Sequence, residues 1–184
     1  MKKYIMTFAT LVAFSTIEAK DYSQNQFSLG IGYLGETLTH PGAVIQTEYQ
    51  QSIAKRWSMP FRAELGYYFH KRNHQAATIS AITGIRFHAT DKFYLGAIGG
   101  VGAMSSWHHS DEGVFEVGDN GEITKTSNFA GTDLLISVGC EFAYNIHKKR
   151  DGHIWLRPKY SFQKNVNQKT LGHTSLEIGY SFTL

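Results

Sequence analysis

Apolar and polar residues alternate along most of the chain after its first twenty positions, and no window there shows a helical period. The alternation recurs in segments of about ten to fifteen residues that are separated by clusters of turn-forming residues, which is typical of strands with one apolar face. We count eight such segments, and they predict strands at 26–34, 42–53, 59–71, 76–89, 93–107, 128–146, 153–164 and 171–184.

Each predicted strand carries its apolar residues on one face. These residues occupy odd positions in the first five segments, as at Leu65, and even positions from the sixth segment onward, as at Leu156. The opposite faces carry four cations and five anions, placed singly or in pairs: Glu48, Arg62, Glu64, Arg86, Asp133, Glu141, Arg157, Lys159 and Glu177.

Alternation alone does not say which face of a closed sheet points inward, and two interpretations are open. A soluble lipocalin-like barrel buries its apolar face, whereas a membrane barrel turns that face to lipid. Glycines lie among the charged residues, where they leave room for long side chains, and aromatic residues such as Trp57 and Phe182 lie near the strand ends. Both features favour the membrane barrel. We therefore predict an all-β fold, an eight-stranded antiparallel up-and-down transmembrane β-barrel whose charges form a network in the lumen.

The connections between segments differ at the two ends of the predicted barrel. Three short turns with the sequences AKRWS, TDK and HKKRDG fall at one end, and the longest connection falls at the other. Outer-membrane barrels have short periplasmic turns and longer extracellular loops, so the long connection is expected outside the cell.

The long connection contains the stretch VFEVGDNGEITK, which predicts a hairpin that turns at Asn120-Gly121. A stiff acidic hairpin can dock a partner or bind divalent cations, although a solvated loop is the simpler interpretation. The carboxylates of this extracellular loop are Asp111, Glu112, Glu116, Asp119 and Glu122.

The first nineteen residues resemble a targeting segment. Lys2 and Lys3 precede an apolar run over 4–17, and Ala19 offers a small residue for cleavage. The apolar run is too short for a membrane anchor, because a spanning helix needs roughly 20 apolar residues. We predict a signal peptide at 1–19 and a single β-barrel domain at 20–184.

Composition narrows the classes of partner. The net charge of +3 over 184 residues does not indicate nucleic acid, and export argues against it further. Cys140 is the only cysteine, so no intrachain disulfide can form. The nine histidines suggest the hypothesis of a metal site or a pH sensor. Histidines at strand ends, however, commonly lie at the membrane–water interface. We expect no metal and no cofactor.

The final strand, SLEIGYSFTL, together with the eight-segment pattern, resembles the small eight-stranded outer-membrane barrels of the broad OmpA-, OmpX- and OmpW-like group. Its alternating apolar residues end at Phe182, although the last residue is Leu184 where this group usually has phenylalanine. The resemblance implies a bacterial outer-membrane location and delivery by the outer-membrane assembly machinery. It also implies contact with outer-membrane lipid and lipopolysaccharide, and we expect a monomer.

Two functions without catalysis follow from this architecture. The leading hypothesis is a structural or interaction role through the extracellular loops, because eight strands enclose a lumen that side chains can fill. The alternative is transport of small apolar molecules, with a lateral opening near Pro158, which interrupts the hydrogen-bond ladder of its strand.

A hydrolase is the third hypothesis. His173, Ser175 and Glu177 share one face of the last strand, and this H-x-S spacing resembles the lipid A deacylases of the PagL type. That resemblance implies a serine nucleophile activated by histidine. The chain departs from the family at Leu176, where asparagine is usual, and the family's acidic partner lies one strand later, after this chain has ended. The simpler interpretation is a set of polar lumen residues in which Glu177 pairs with an arginine such as Arg157 or Arg86.

Overall fold

The computed structural model describes residues 24–37, 40–70, 74–108, 114–117, 121–126, 129–146, 152–166 and 169–184. The strands are β1 (Gln26–Glu36), β2 (His40–Ala54), β3 (Trp57–Phe69), β4 (His74–His88), β5 (Phe93–His108), β6 (Val114–Val117), β7 (Ile123–Thr126), β8 (Phe129–Asn145), β9 (Gly152–Val166) and β10 (Lys169–Thr183). Eight of them form a closed antiparallel barrel in the order β1-β2-β3-β4-β5-β8-β9-β10, and β6 pairs with β7 in a separate hairpin. The predicted all-β, eight-stranded barrel is therefore confirmed.

Each of the eight predicted segments corresponds to one barrel strand, with differences of a few residues at the ends; β2, for example, begins at His40 rather than at Gly42. The predicted signal peptide at 1–19 lies outside the described residues, so it stays a prediction. Within the described ranges, no helix is long and apolar enough to cross a membrane.

The barrel closes where its first and last strands meet. β1 pairs antiparallel with β10, from Ser28 opposite Thr183 to Glu36 opposite Ser175. An open sheet would leave the N–H and C=O groups of both edge strands unpaired, and closure satisfies them. Residues from the two ends of the described chain thereby become neighbours.

The two faces of the wall have opposite character. Leu65 and Ile178 point outward with exposed fractions of 50% and 48%, whereas Glu141 and Arg157 point inward and are fully buried. Aromatic pairs lie near both rims: Trp57 packs on Phe87 at the end of the short turns, and at the opposite end Trp107 packs on Phe129. This is the apolar band with aromatic girdles expected of a barrel in lipid. The rim with the short turns is called the turn end below, and the other rim the loop end.

The separate hairpin lies in the predicted long connection. Gly121 precedes β7 with a φ of +80°, which suits glycine in a tight turn, and Glu122 beside it is exposed. Glu116 lies within β6. The remaining predicted loop carboxylates, Asp111, Glu112 and Asp119, lie outside the described residues, as does Asn120.

A tryptophan fills the lumen near the turn end. Trp155 is fully buried, and its Nε1 donates a hydrogen bond to Ser181 Oγ at 2.9 Å. A Cβ atom on Gly32 or Gly179 would lie only 2.4 or 2.3 Å from the indole ring. These two glycines are therefore required by space, because a methyl group at either position would overlap the indole.

We expect Gly179→Ala to lower the free energy of unfolding by about 1–3 kcal/mol, because overpacking forces the indole or the backbone to move. Gly99→Ala is the matched control, since a Cβ atom there would meet its nearest neighbour at an ordinary 3.6 Å. Urea-induced unfolding in lipid vesicles, followed by tryptophan fluorescence, measures both. Equal stability of the two variants would contradict this packing argument.

Candidate functional site

Eight charged side chains from β2, β3, β4, β8, β9 and β10 meet in the middle of the lumen, and we call this set the charge plug. Its members are four glutamates, three arginines and a lysine, so their formal charges sum to zero. The plug consists of Glu48, Arg62, Glu64, Arg86, Glu141, Arg157, Lys159 and Glu177.

Glu141 lies at the centre of the plug. It is fully buried and accepts hydrogen bonds from three guanidinium groups: Arg62 Nη2 at 2.6 Å, Arg86 Nε at 2.5 Å and Arg157 Nε at 2.6 Å. Short charge-assisted hydrogen bonds are stronger than hydrogen bonds between neutral groups. A carboxylate has enough lone pairs to accept several of them. One carboxylate thus joins the three arginines across the lumen.

The remaining contacts extend the plug toward both ends. On the turn side, Arg86 binds Glu48 through both terminal nitrogens, at 2.5 and 2.7 Å. On the loop side, Lys159 Nζ lies 2.8 Å from Glu64 Oε2 and also contacts Glu177. Charges removed from water must be paired to be tolerated, and this arrangement pairs them across strands that are distant in sequence.

Asp133 does not join the plug, although the sequence placed it in the same network. It lies eight residues before Glu141 on β8, which corresponds to about 26 Å along a strand at roughly 3.3 Å per residue. Its carboxylate instead accepts a hydrogen bond from Gln163 Nε2 at 2.5 Å near the loop end. The alternation predicts that Asp133 shares the inward face with Glu141. It does not predict how far apart the two residues lie along the barrel axis.

A second polar group, the mouth cluster, crosses the lumen at the loop end and consists of Glu36, His40, Gln163 and His173. Glu36 Oε1 lies 2.8 Å from His173 Nδ1, its Oε2 contacts His40 Nδ1, and Gln163 Oε1 lies 2.8 Å from His173 Nε2. Glu36 was not predicted as a site residue, because it becomes a neighbour of β10 only when the barrel closes.

The hydrogen bonds of the mouth cluster form an ordered chain. Because Gln163 donates to Asp133 through its nitrogen, its oxygen faces the His173 ring. Both ring nitrogens of His173 therefore face acceptors, one an amide oxygen and the other the Glu36 carboxylate. Either ring nitrogen can therefore donate a hydrogen bond to the acceptor that faces it.

Other histidines pack beside the mouth cluster. His40 meets His70 edge to face at 4.0 Å between ring centroids, and the Tyr68 hydroxyl lies 3.2 Å from His74 Nε2. Among the described residues, no group of three or more His, Cys, Asp or Glu side chains is arranged to hold a metal ion.

Between the charge plug and the mouth cluster lies a cavity of about 50 Å³, which we call the upper cavity. Side chains of the plug border it on one side, and side chains of the mouth cluster border it on the other. Hydroxyl groups, among them Ser175 and Ser161, line it together with apolar residues. The apolar part of the lining comprises Leu34, Val44, Tyr68, Met104 and Leu135.

The wall is interrupted beside the plug. Pro158 has no N–H to donate, and the pairing of β8 with β9 skips from Gly139 opposite Lys159 to Phe142 opposite Leu156. The side chain of Pro158 faces outward and is exposed. Inside this gap, the ion pair between Arg157 and Glu141 occupies the lumen.

No protein-family model and no curated protein matches the chain. Solved structures do match it. Neisserial surface protein A is 8% identical with a TM-score of 0.55, over 87% of this chain and 96% of that one. Ail of Yersinia pestis, in complex with the heparin analogue sucrose octasulfate, is 15% identical with a TM-score of 0.51, over 88% and 99%.

The outer membrane enzyme PagL is also similar, at 9% identity and a TM-score of 0.51, over 84% of this chain and 98% of that one. At such identities the likeness shows the fold alone. The chain has the fold of the small eight-stranded outer-membrane β-barrels, a class whose members differ widely in what they do.

We expect Arg157→Ala to lower the free energy of unfolding by about 3–5 kcal/mol, because it leaves the buried charge plug with one uncompensated negative charge. Lys55→Ala is the control, since Lys55 is exposed in a turn and such surface changes stay within about 0.5 kcal/mol. Urea titration in vesicles provides both values. A loss for Arg157→Ala as small as that of the control would mean that the plug does not stabilise the barrel.

Proposed function

We propose that this chain is a non-enzymatic barrel of the bacterial outer membrane with a structural or interaction role through its extracellular loops. The observation that carries the proposal is the neutral, buried charge plug inside a wall whose outer face is apolar. Such a barrel anchors loops at the cell surface and leaves no aqueous path through its centre.

The outer wall supports the membrane location. Aliphatic and aromatic side chains are exposed all round the barrel, for example Ile79 at 58% and Val101 at 56%. A continuous apolar belt of this kind would drive aggregation in water, whereas lipid covers it. Export by the predicted signal peptide and delivery by the assembly machinery complete the proposed route to the outer membrane.

The loop end supports the interaction role. The hairpin of β6 and β7 exposes Phe115 and Ile123, with exposed fractions of 55% and 67%, and exposed large apolar groups of this kind suit contact with a partner. We place this end outside the cell, where it meets lipopolysaccharide and environmental partners, and we propose that the barrel is a monomer.

The barrel should show no steady conductance in planar bilayers, because eight paired charges cross its lumen. The folded state of the same sample is checked by its faster migration on an unheated gel than on a heated one. Steady permeation of small ions by folded protein would overturn the proposal of a closed lumen.

Hydrolysis of an outer-membrane lipid is a second candidate, and the pair formed by Glu36 and His173 favours it. In the sequence, Glu177 is the acid that shares a face with His173, and barrel closure brings a second acid, Glu36 of β1, to 2.8 Å from the ring. Two features count against it: His173 Nε2 faces Gln163, and Ser175 faces the lumen with an exposed fraction of 8%. A lipid outside the wall has no evident path to this hydroxyl group.

If the hydrolase proposal is right, wild-type protein should release fatty acid from lipid A in mixed vesicles and Ser175→Ala should abolish the release. Ser80→Ala is the matched control, since Ser80 borders the same cavity but lies on β4, across the barrel from the strand that carries His173. Mass spectrometry of the lipid measures the reaction. Unchanged lipid A with wild-type protein, or equal activity of wild type and Ser175→Ala, would eliminate this candidate.

A further inference from the structure

The backbone pairing of β2 with β3 ends early at the loop end of the barrel. Its last pair joins Gly42 to Tyr68, although β2 begins at His40 and stays paired with β1 to that residue. Pro41, between His40 and Gly42, has no N–H to donate. On its other side, β3 stays paired with β4 as far as Phe69. The described part of the wall therefore has a short split between β2 and β3, where the ladder does not join the two strands.

Imidazole rings face each other across this split. His40 of β2 meets His70, the residue that follows β3, edge to face with 4.0 Å between the ring centroids. His74, at the start of β4, has its ring centroid within 6.5 Å of both. Its backbone oxygen accepts a hydrogen bond from the His70 N–H at 2.9 Å. His70 and His74 thus belong to one side of the split, and His40 belongs to the other.

The two sides differ in how a positive charge on histidine is compensated. On the β2 side, Glu36 contacts the His40 ring and also pairs with His173. Among the described residues, no carboxylate forms an ion pair with His70 or His74. The other titratable groups of this rim are Tyr68, whose hydroxyl lies 3.2 Å from His74 Nε2, His108 opposite His74 in the ladder, and Asp133, which is bound by Gln163. In the sequence, the connection between β3 and β4 adds the cations Lys71 and Arg72 and no acid.

Protons therefore act unequally on the two sides. Histidine gains a positive charge as the pH falls from about 8 to about 5. Once both are charged, the His40 and His70 rings repel each other across the split, and water screens such partly buried charges little. Glu36 still holds His40 in place, so the β3 side, which has no counter-ion there, is the side that moves. The closed split is thus favoured at the upper end of this pH range and lost toward the lower end.

The upper cavity lies directly behind the split. Tyr68, in the last pair of the ladder, lines this cavity together with Val44 and Met104, and its hydroxyl group lies 3.7 Å from the Met104 sulfur. We propose that acidification opens the barrel wall between β2 and β3 at the loop end and exposes the upper cavity.

Oxidation of methionine measures this opening. Met104 is buried, with an exposed fraction of 3%, and Met59, at the turn end of β3, is the internal reference. The full chain, refolded in detergent micelles, is treated with dilute hydrogen peroxide at about pH 7.5 and at about pH 5, on either side of the histidine titration. Mass spectrometry gives the initial rate of sulfoxide formation at each methionine. We expect the rate at Met104, relative to that at Met59, to rise several-fold at the acidic pH.

Three variants locate the response. His70→Gln and His40→Gln each remove one of the repelling rings, so either should abolish most of the rise. His153→Gln is the matched control, because this histidine borders a different cavity near the turn end, and it should leave the rise intact. Heat-modifiable migration on a gel at both pH values shows that each variant has folded.

The proposal is overturned if the ratio of the two rates in wild-type protein is the same at both pH values. It is also overturned if His70→Gln responds as strongly as wild type, or if His153→Gln loses the response. It does not depend on the structural role proposed above, because a split above the charge plug opens no path through the plug. Conductance in planar bilayers tests that role separately.

Discussion

The electrical neutrality of the charge plug is the constraint on which the rest of this barrel depends. An ionised side chain buried in a narrow lumen is destabilising unless partners are within hydrogen-bonding distance. Glu141 meets this condition with three arginines drawn from β3, β4 and β9. The strands that carry these residues must therefore close with one particular register, since a slip of one residue would turn a charge toward lipid.

The narrow lumen also explains where large and small inward-facing residues lie. Trp155 fits in the lumen because its neighbours along the barrel wall, Gly179 on β10 and Gly32 on β1, have no side chains. Arg157 then lies over the indole ring, with its guanidinium carbon 3.8 Å from the ring centroid. A favourable cation–aromatic contact thus joins the tryptophan to the charge plug. Trp155 and the ion pairs of the charge plug thus pack against each other without a break in the turn half of the barrel.

The sequence predicted the strands well because a period of two is a local property that each segment reports by itself. It also placed Arg62 and Glu177 on inward faces, where the structure has them. Contacts that form only when the barrel closes were not predicted from the sequence. Glu36 and His173 are separated by most of the chain and meet only through the pairing of β1 with β10. Trp155 was not predicted for a different reason: it is an apolar residue on the face of β9 that carries the charged residues, so the alternation does not mark it as inward-facing filler.

This arrangement divides the lumen into two parts, the charge plug and the upper cavity, which are under different physical constraints. In the plug, each side chain shares partners with its neighbours, so substitutions there are coupled and costly. The upper cavity is lined by hydroxyl and apolar side chains, and the cavity itself leaves volume that a changed side chain can occupy. Side chains at the loop end can therefore change with less effect on the fold than those of the plug. A barrel stabilised at its middle in this way separates the part that preserves its structure from the part that can acquire a ligand or a partner.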